Sequence, residues 1–391
     1  MNVKNDDATS ADAQPGGSGG SSPRESRAET VGSLLRDDAV VRAARRSGPA
    51  DNVLLDDAAR DAIRLQEDIG LDVITDGEVR RVAWAQTTRF LDCFAATTGR
   101  GALNWRGATE GRSGASLDDP AARPAGYPAV VRRVATATRV GDMTAEYEFL
   151  ARWARTRTKY TMPAPSYHRR YWSPEDSGAV YDSCEEFLTE IRDYLREVVG
   201  TLVSLGCDYI QLDAPNYGSL CDPDTRATMA AAGRDLDAEL AFDTELDNSL
   251  VDGLSGVTTA LHVCRGNGPG GAWHSAGGYG AISGALFPKL GFDRLLLEYD
   301  SDRAGTFAPL SDVRDETVVV LGLLTTKSDQ MEDEADVAAR IAEAARYKPL
   351  DELALSTQCG FASVPIENPV TPEVQRAKLE MVVRLSRRTW S

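Results

Sequence analysis

Short apolar runs alternate with longer amphipathic segments from residue 29 to the C-terminal end of the sequence. Eight of the apolar runs are strand candidates: residues 30–33, 71–75, 160–162, 208–212, 258–263, 294–297, 317–321 and 353–356. The segments between them have the periodicity of amphipathic helices, for example 57–69, 185–205 and 333–347. Continuous apolar strands that alternate with helices predict a parallel sheet covered on both faces.

The number of strand candidates favours an α/β fold in which the sheet closes into a (β/α)8 TIM barrel. In such a barrel the polar residues that follow the strands meet at one mouth, although they are far apart in the sequence. An open, doubly wound sheet is the alternative fold. It is less favoured because no nucleotide-binding turn follows the first strand.

Three segments depart from this alternation. Residues 1–25 are rich in Gly, Ser, Asp and Ala and lack periodicity, so we predict a disordered N-terminal tail before a single domain at 26–391. An insertion at about 95–146 separates the second and third strands, where it is either a lid at the barrel mouth or a surface excursion. Residues 266–280 contain Gly-Asn-Gly-Pro-Gly-Gly, which matches a dinucleotide-binding pattern but opens no helix, so we predict a flexible loop.

Composition limits the classes of partner. The net charge is -17 and the acidic residues are spread along the chain, which argues against an extended nucleic-acid or anionic-membrane surface. The sequence has no apolar run of membrane-spanning length and no signal-peptide core, so a cytoplasmic protein is expected. Six cysteines without a close pair do not form a disulfide framework, and at least some should be free thiols.

Four residues at strand ends form a candidate metal site. His262 and Cys264 are two positions apart at the end of the fifth strand, so their side chains point to the same side. Glu298 ends the sixth strand and Cys359 follows the eighth. One nitrogen, two sulfurs and one oxygen are a plausible tetrahedral set for zinc (Zn²⁺). The alternative interpretation is that the cysteines are buried apolar residues and that Glu298 pairs with Arg303.

Further polar residues follow other strands. Glu78 and Asp213 are carboxylates that could hold a substrate ammonium group, and the amides near Ser33 could hold its carboxylate. Lys327 could supply a proton or position an anion, and we take it with Asp213 as a candidate catalytic residue. The alternatives are an ion pair between Glu78 and the adjacent arginines, Arg80 and Arg81, and a solvated charge at Lys327.

Six short stretches carry a resemblance to a known family: residues 27–36 (RAETVGSLLR), 76–78 (DGE), 210–213 (IQLD), 262–267 (HVCRGN), 297–300 (LEYD) and 358–360 (QCG). They resemble the catalytic C-terminal domain of cobalamin-independent methionine synthases. They resemble more closely the stand-alone paralogues of that domain, which lack the N-terminal barrel. The resemblance implies a uroporphyrinogen-decarboxylase-like barrel. It also implies zinc on His262, Cys264, Glu298 and Cys359, with homocysteine held by Glu78, Asp213 and Ser33.

The chain departs from the full-length members of that family at three points. It has no second barrel to help bind a polyglutamylated folate. Lys327 stands near the position of a catalytic His, as also tends to be the case in the stand-alone members. Ala214 follows Asp213 where the family often has Glu. The methyl donor and the amino-acid end of the pocket are the features that these differences affect.

The resemblance implies a methyltransferase of methionine biosynthesis, similar to 5-methyltetrahydropteroyltriglutamate–homocysteine S-methyltransferase. The expected reaction is zinc-dependent methylation of homocysteine or a similar small thiol, with a folate, a corrinoid or another alkyl donor. One alternative is a zinc-dependent thiol transferase that opens an epoxide or another electrophile, and a second is a non-catalytic zinc- or thiol-binding barrel. No nucleic-acid or membrane partner is expected, and a homo-oligomer is possible.

Overall fold

The structure is a computed structural model that describes residues 26–46, 48–97, 105–107, 126–134, 140–364 and 368–391. The predicted tail at 1–25 and much of the predicted insertion at 95–146 lie outside the described residues. The fold and the candidate site are therefore built from the remaining parts of the chain.

Seven parallel strands form one sheet in the order β1-β9-β8-β7-β6-β5-β4. These strands are β1 (Ala28–Glu29), β4 (Tyr160–Pro163), β5 (Tyr209–Asp213), β6 (Thr258–Val263), β7 (Arg294–Glu298), β8 (Val318–Leu324) and β9 (Leu353–Thr357). Two more strands, β2 (Phe94–Thr97) and β3 (Gly126–Val130), pair as a separate antiparallel ribbon. The predicted α/β class and parallel sheet are confirmed.

The sheet differs from the prediction at residues 71–75. In place of a second strand, this segment makes single parallel bridges, from Val73 to Glu29 and from Ile74 to Thr158. Backbone hydrogen bonds support both contacts, with Asp72 N 2.9 Å from Ala28 O and Ile74 N 3.0 Å from Arg157 O. The sheet of the described residues is therefore curled, because one short segment contacts both of its edges.

Helices cover the outer face of the sheet. The α-helices are α1 (Asp38–Arg46), α2 (Pro49–Ile69), α3 (Thr87–Phe90), α4 (Val140–Trp153), α5 (Pro174–Ser177), α6 (Cys184–Ser204), α7 (Pro215–Ser219), α8 (Pro223–Ala231), α9 (Leu236–Val251), α10 (Ser283–Leu286), α11 (Glu334–Ala344) and α12 (Pro372–Thr389). Short 3₁₀ turns lie at Pro165–Tyr171, Pro269–Gly271, Tyr279–Ala281, Phe287–Lys289, Asp302–Ala304, Ala308–Asp312 and Leu350–Glu352. The helical segments expected at 57–69, 185–205 and 333–347 are present in α2, α6 and α11.

Local sequence signals set the ends of several helices. The Ser183 hydroxyl accepts a hydrogen bond from Glu186 N at 3.1 Å and so caps the start of α6. Asp235 caps α9 in the same way through Ala238 N. The α2 helix ends at Gly70, whose φ of 87° is a left-handed conformation that glycine adopts without steric cost.

Strand alternation divides the core into two parts. Side chains on the concave face of the curled sheet form a small cluster: Val31, Val73, Tyr209, Ala260, Leu296, Val318, Val320 and Ala354. Side chains on the opposite face join a larger cluster with the helices, as Leu212, Leu261 and Leu297 do. Because successive strand residues point to opposite faces, the concave face also receives every second polar residue.

A buried ion cluster fills one end of the concave face. Glu29 of β1 accepts hydrogen bonds from Lys159 Nζ at 2.6 Å and from Arg294 Nη2 at 2.7 Å, and all three side chains are fully buried. The hydroxyl group of Tyr209 donates to the same carboxylate at 3.0 Å. These contacts join β1, β7 and the residue before β4, and so hold the two edges of the sheet together.

We expect Glu29→Gln to lower the free energy of unfolding by about 3–5 kcal/mol, because two buried cations would lose their counter-charge. Urea-induced unfolding measures this change. The matched control is Asp57→Asn, which removes an exposed ion pair with Arg60 and should cost less than about 1 kcal/mol. Equal losses in the two variants would contradict the importance of the buried cluster.

The same carboxylate should make stability depend on acid pH. Burial raises the pKa of Glu29, but Lys159 and Arg294 outweigh it and lower that pKa from 4.5 to about 2. Because the folded-state pKa is the lower one, the contribution is present above pH 4.5 and is lost as the pH falls towards 2. Glu29→Gln should remove this part of the acid dependence.

Candidate metal centre and substrate pocket

Three metal-ligating side chains meet at the carboxyl edge of the curled sheet. One ligand atom from each of His262, Cys264 and Cys359 lies within 4.8 Å of the others, and all three side chains are buried. His262 is in β6, Cys264 follows it, and Cys359 follows β9. Because β7 and β8 separate β6 from β9 in the sheet, the curl is needed to bring these residues together.

The hydrogen bonding of His262 fits a metal ligand. Its Nδ1 lies 3.1 Å from Leu296 O, a contact that places the proton of a neutral imidazole on Nδ1. The other ring nitrogen, Nε2, is buried and has no hydrogen-bond partner among the described residues. A buried nitrogen lone pair beside two thiol groups is the donor chemistry that zinc prefers.

The two cysteines interact closely enough to favour a single negative charge. The interaction between their thiol groups raises the pKa of Cys264 and lowers the pKa of Cys359. His262 lowers the pKa of Cys359 further. At least one sulfur is thus prepared to act as a thiolate, the form that binds metal ions.

Glu298 lies outside this three-residue group. Its Oε2 accepts a hydrogen bond from Arg265 N at 2.7 Å, and its Oε1 accepts from Arg303 Nη2 at 2.8 Å. Burial raises the pKa of Glu298, but Lys327, Arg265 and Arg303 outweigh it and lower that pKa. The carboxylate thus forms the ion pair with Arg303 that was the alternative interpretation of this residue. Its role as a fourth metal ligand stays a prediction.

Lys327 belongs to the same ion cluster and is not a solvated surface charge. Its side chain is 7% exposed, and its Nζ is 3.4 Å from both Glu298 Oε1 and Asp300 Oδ2. It is not among the residues that line the pocket. The Lys327 ammonium group is therefore held next to the group of His262, Cys264 and Cys359 by its ion pairs with Glu298 and Asp300.

Glu78 is held in a strained conformation. Its φ is 52°, in the left-handed region that residues with a side chain rarely occupy, and an Asx turn forms between Asp76 Oδ1 and Glu78 N at 2.9 Å. The hydroxyl group of Thr161 donates to its Oε1 at 2.6 Å, and Arg81 lies 3.4 Å away. The pairing with Arg81 is present, whereas Arg80 pairs with Asp56.

Asp213 ends β5 on the concave face. Its Oδ1 accepts a hydrogen bond from Gln211 Nε2 at 2.7 Å. Burial raises the pKa of Asp213 to about 7, although His262 lowers it. At neutral pH this carboxyl group can therefore both accept and donate a proton.

One cavity of about 220 Å³ collects most of the predicted site. Its lining includes the predicted residues Ser33, Glu78, Asp213, His262, Cys264 and Cys359. Of the predicted residues, Glu298 and Lys327 lie behind the lining instead. The structure thus brings together side chains from β5, β6 and four separate loops.

The sequence prediction missed the aromatic and basic walls of this cavity. These walls contain Trp84, Trp105, Tyr167, Arg170, Tyr171 and His274. The ring centroids of Trp84 and Tyr167 are 4.6 Å apart, and Arg170 Nη1 donates a hydrogen bond to the Tyr167 hydroxyl oxygen at 2.9 Å. One signal was available for three of them, since Tyr167, Arg170 and Tyr171 follow a predicted strand in the turn Pro165–Tyr171.

Fold and site define an α/β protein with a curled parallel sheet and, at its carboxyl edge, a His-Cys-Cys group that could hold a metal ion. The chain is 32% identical over 377 residues to the uncharacterized protein YxjH of Bacillus subtilis and 30% identical over 379 residues to YxjG of the same organism. Both alignments cover 93% of this chain and 94% of the relative. The chain belongs to the family of YxjH and YxjG. No protein-family model matches the sequence.

Solved structures connect this fold to cobalamin-independent methionine synthases. A putative vitamin-B12-independent methionine synthase from Listeria monocytogenes is 26% identical, with a TM-score of 0.66 over 93% of this chain and 98% of that one. A B12-independent methionine synthase from Shewanella, in complex with selenomethionine, is 20% identical with a TM-score of 0.63, covering 93% and 97% of the two chains. A methyltransferase from Methanosarcina mazei is 14% identical with a TM-score of 0.52, covering 94% and 95%. The last two comparisons show a shared fold.

Among the described residues, none of the helices combines the length and the apolar character that crossing a membrane requires.

Proposed function

We propose that this protein is a zinc-dependent S-methyltransferase that alkylates homocysteine or a similar small thiol. The observation that carries the proposal is the group of His262, Cys264 and Cys359, with the unpartnered Nε2 of His262, in a cavity that also contains two carboxylates. The similarity to the Listeria protein described as a putative methionine synthase supports the same reaction class. We further infer that the bridges at residues 73 and 74 close the sheet into a (β/α)8 barrel.

His262 through Nε2, Cys264 and Cys359 would hold the zinc ion, with Glu298 as the candidate fourth ligand. Zinc, when bound, stabilises a substrate thiol as its thiolate near neutral pH and keeps the sulfur nucleophilic. Glu298 would have to exchange contacts with Arg303 and Lys327 in order to reach a metal ion. It is therefore the ligand that a substrate sulfur would most easily replace.

The carboxylates would orient the thiol substrate. Glu78 and Asp213 are buried and line the cavity, where they can accept hydrogen bonds from an ammonium group. The backbone around Ser33 lies on the same cavity and would hold the substrate carboxylate. At this end of the site Gly32 leaves the space that the Glu78 carboxylate occupies, since a Cβ at Gly32 would lie 2.2 Å from Glu78 Oε1.

The reaction would proceed by attack of the substrate thiolate on the alkyl carbon of the donor. A sulfur–carbon bond forms, the bond between the carbon and its leaving group breaks, and the leaving group keeps the electron pair. Asp213, with its pKa of about 7, is a candidate to take the proton released by the thiol. Lys327 is a candidate proton source for the leaving group, which it would reach by exchanging its contacts with Glu298 and Asp300 behind the cavity lining.

X-ray absorption on the zinc-loaded protein tests this proposal. Addition of homocysteine should add a sulfur scatterer at about 2.3 Å from zinc, with release of a proton. A thiol without an amino group should give a weaker response, because it cannot use Glu78 and Asp213. If the amine-free thiol saturates the metal and homocysteine does not, the epoxide-opening alternative replaces methionine formation. If no thiol adds a sulfur ligand, the alkyltransferase proposal fails.

A further inference from the structure

Residues 105–107 are a described part of the predicted insertion and lie directly against the glycine-rich loop. Arg106 and Trp273 exchange two backbone hydrogen bonds, at 2.7 and 3.0 Å. The Arg106 guanidinium group pairs with the buried Asp222 and donates to His274 O at 2.9 Å. It also lies 4.8 Å from the centre of the Trp273 ring. Several independent contacts thus fix the position of the residue that precedes it, Trp105.

Glycines allow two tryptophan rings to lie directly on the backbone. A Cβ at Gly268 would be 2.4 Å from the Trp105 ring, and a Cβ at Gly266 would be 3.0 Å from it. In the opposite direction, a Cβ at Gly107 would be 2.1 Å from Trp273 Nε1. The Gly-Asn-Gly pattern that resembles a dinucleotide-binding motif is therefore explained by this packing.

This packing places the Trp105 indole on the cavity that also contains the cysteine pair. Gly266 and Gly268 follow Cys264 by two and four positions, and the indole covers both. Trp105, Cys264 and Cys359 line the same cavity, and the Trp105 ring contacts the edge of the His274 ring at 5.7 Å between centroids. The indole is thus a wall of the space through which an alkyl donor must approach the sulfur.

We propose that Trp105 is a specificity-determining residue that limits which electrophiles reach the sulfur at Cys264 and Cys359. The identity of the reaction rests on the function proposed above, but the restriction of access does not. The cavity of about 220 Å³ is smaller than the roughly 300–1,000 Å³ of pockets that enclose drug-sized ligands. The donor therefore presents its alkyl carbon on a compact group, and any larger part of the donor lies outside the cavity.

Thiol labelling of the full-length protein tests this proposal without zinc chemistry or turnover. Methyl methanethiosulfonate is the compact reagent and dithiobis(nitrobenzoate) is the bulky, planar one, with peptide mapping of Cys264 and Cys359. Trp105→Ala should accelerate labelling by the bulky reagent by about tenfold or more and labelling by the compact reagent by less than about threefold. Trp105→Phe should remain close to the wild-type protein.

The matched control is Trp153→Ala, since Trp153 is 43% exposed at the end of α4 and is not part of the cavity. It should leave both labelling rates unchanged. If Trp105→Ala does not fold, as judged by near-ultraviolet circular dichroism, Trp105→Leu provides the same comparison with a narrower apolar side chain. An unchanged ratio of the two rates in the folded variant overturns the proposal. A changed ratio in a protein that transfers no methyl group would support the wall at Trp105 and refute the proposed function alone.

Discussion

Cys264→Ser and Cys359→Ser should each weaken zinc binding by on the order of 100-fold or more. Each variant replaces a sulfur ligand by a hydroxyl group, and even changes to residues that only orient ligands typically cost about 10–100-fold. Competition with a chromophoric chelator measures the affinity, and metal analysis after dialysis measures the content. Because metal binding is linked to folding, each variant should also gain less thermal stability from added zinc than the wild-type protein gains.

Cys221→Ser is the matched control for these variants. Cys221 is a free cysteine that is as buried as the other two, but it lies outside the three-residue group and its Sγ is 3.8 Å from Tyr217 O. It should retain the zinc affinity of the wild-type protein. Full zinc content in both Cys264→Ser and Cys359→Ser would refute the metal site.

Glu298→Gln separates the two interpretations of the carboxylate next to the group. We expect a smaller loss of zinc affinity than in either cysteine variant, because Arg265, Arg303 and Lys327 compete for the carboxylate. Chelator competition under the same conditions provides the comparison. A loss as large as that of Cys359→Ser would instead make Glu298 a full ligand of the resting metal centre.

Glu78→Gln and Asp213→Asn should each lower kcat/KM for homocysteine by about 30-fold or more. Truncating one partner of a buried charge pair costs about 2–5 kcal/mol, which corresponds to this range. In Glu78→Gln the loss should fall mainly on the KM for the thiol, since this side chain binds the ammonium group and does not touch the sulfur. Asp213→Asn should also lower kcat, because Asp213 is the candidate acceptor of the thiol proton. Steady-state kinetics with saturating alkyl donor measure both parameters.

The control for Glu78→Gln is a second substrate. A thiol of similar size without an amino group should react with the wild-type protein and with Glu78→Gln at rates within about threefold of each other, because it makes no ion pair to lose. Equal losses with both thiols in Glu78→Gln would mean that Glu78 maintains the shape of the pocket and does not recognise an amine.

Much of the fold could be predicted from the order of residues because the signals were local. Continuous apolar runs such as 258–263 and 317–321 can be stable only in a sheet covered on both faces, and β6 and β8 occupy nearly these residues. Likewise, the spacing of His262 and Cys264 places both side chains on one side of a strand wherever that strand lies. The sequence also indicated that the residues after the strands would meet, as Ser33, Asp213 and Cys359 do at the cavity.

Other features depend on contacts between distant segments. Residues 71–75 have a strand pattern, but they lie between the two edges of the curled sheet and pair with each edge at one residue only, Glu29 on one side and Thr158 on the other. The strand end at Glu298 was predicted from its position, whereas the direction of its carboxylate is decided by Arg303, Lys327 and the amide of Arg265.

The position of Trp105 shows most clearly what could not be predicted from the sequence. Trp105 lies in a segment without periodicity, and its place at the pocket depends on Arg106, Asp222 and glycines more than one hundred and fifty positions away. The sequence by itself therefore determined the strands and the ligand types, because these follow from spacing along the chain. The tertiary structure decided which charges pair and which ring forms the wall of the pocket, because those outcomes depend on competition among partners that only folding brings together.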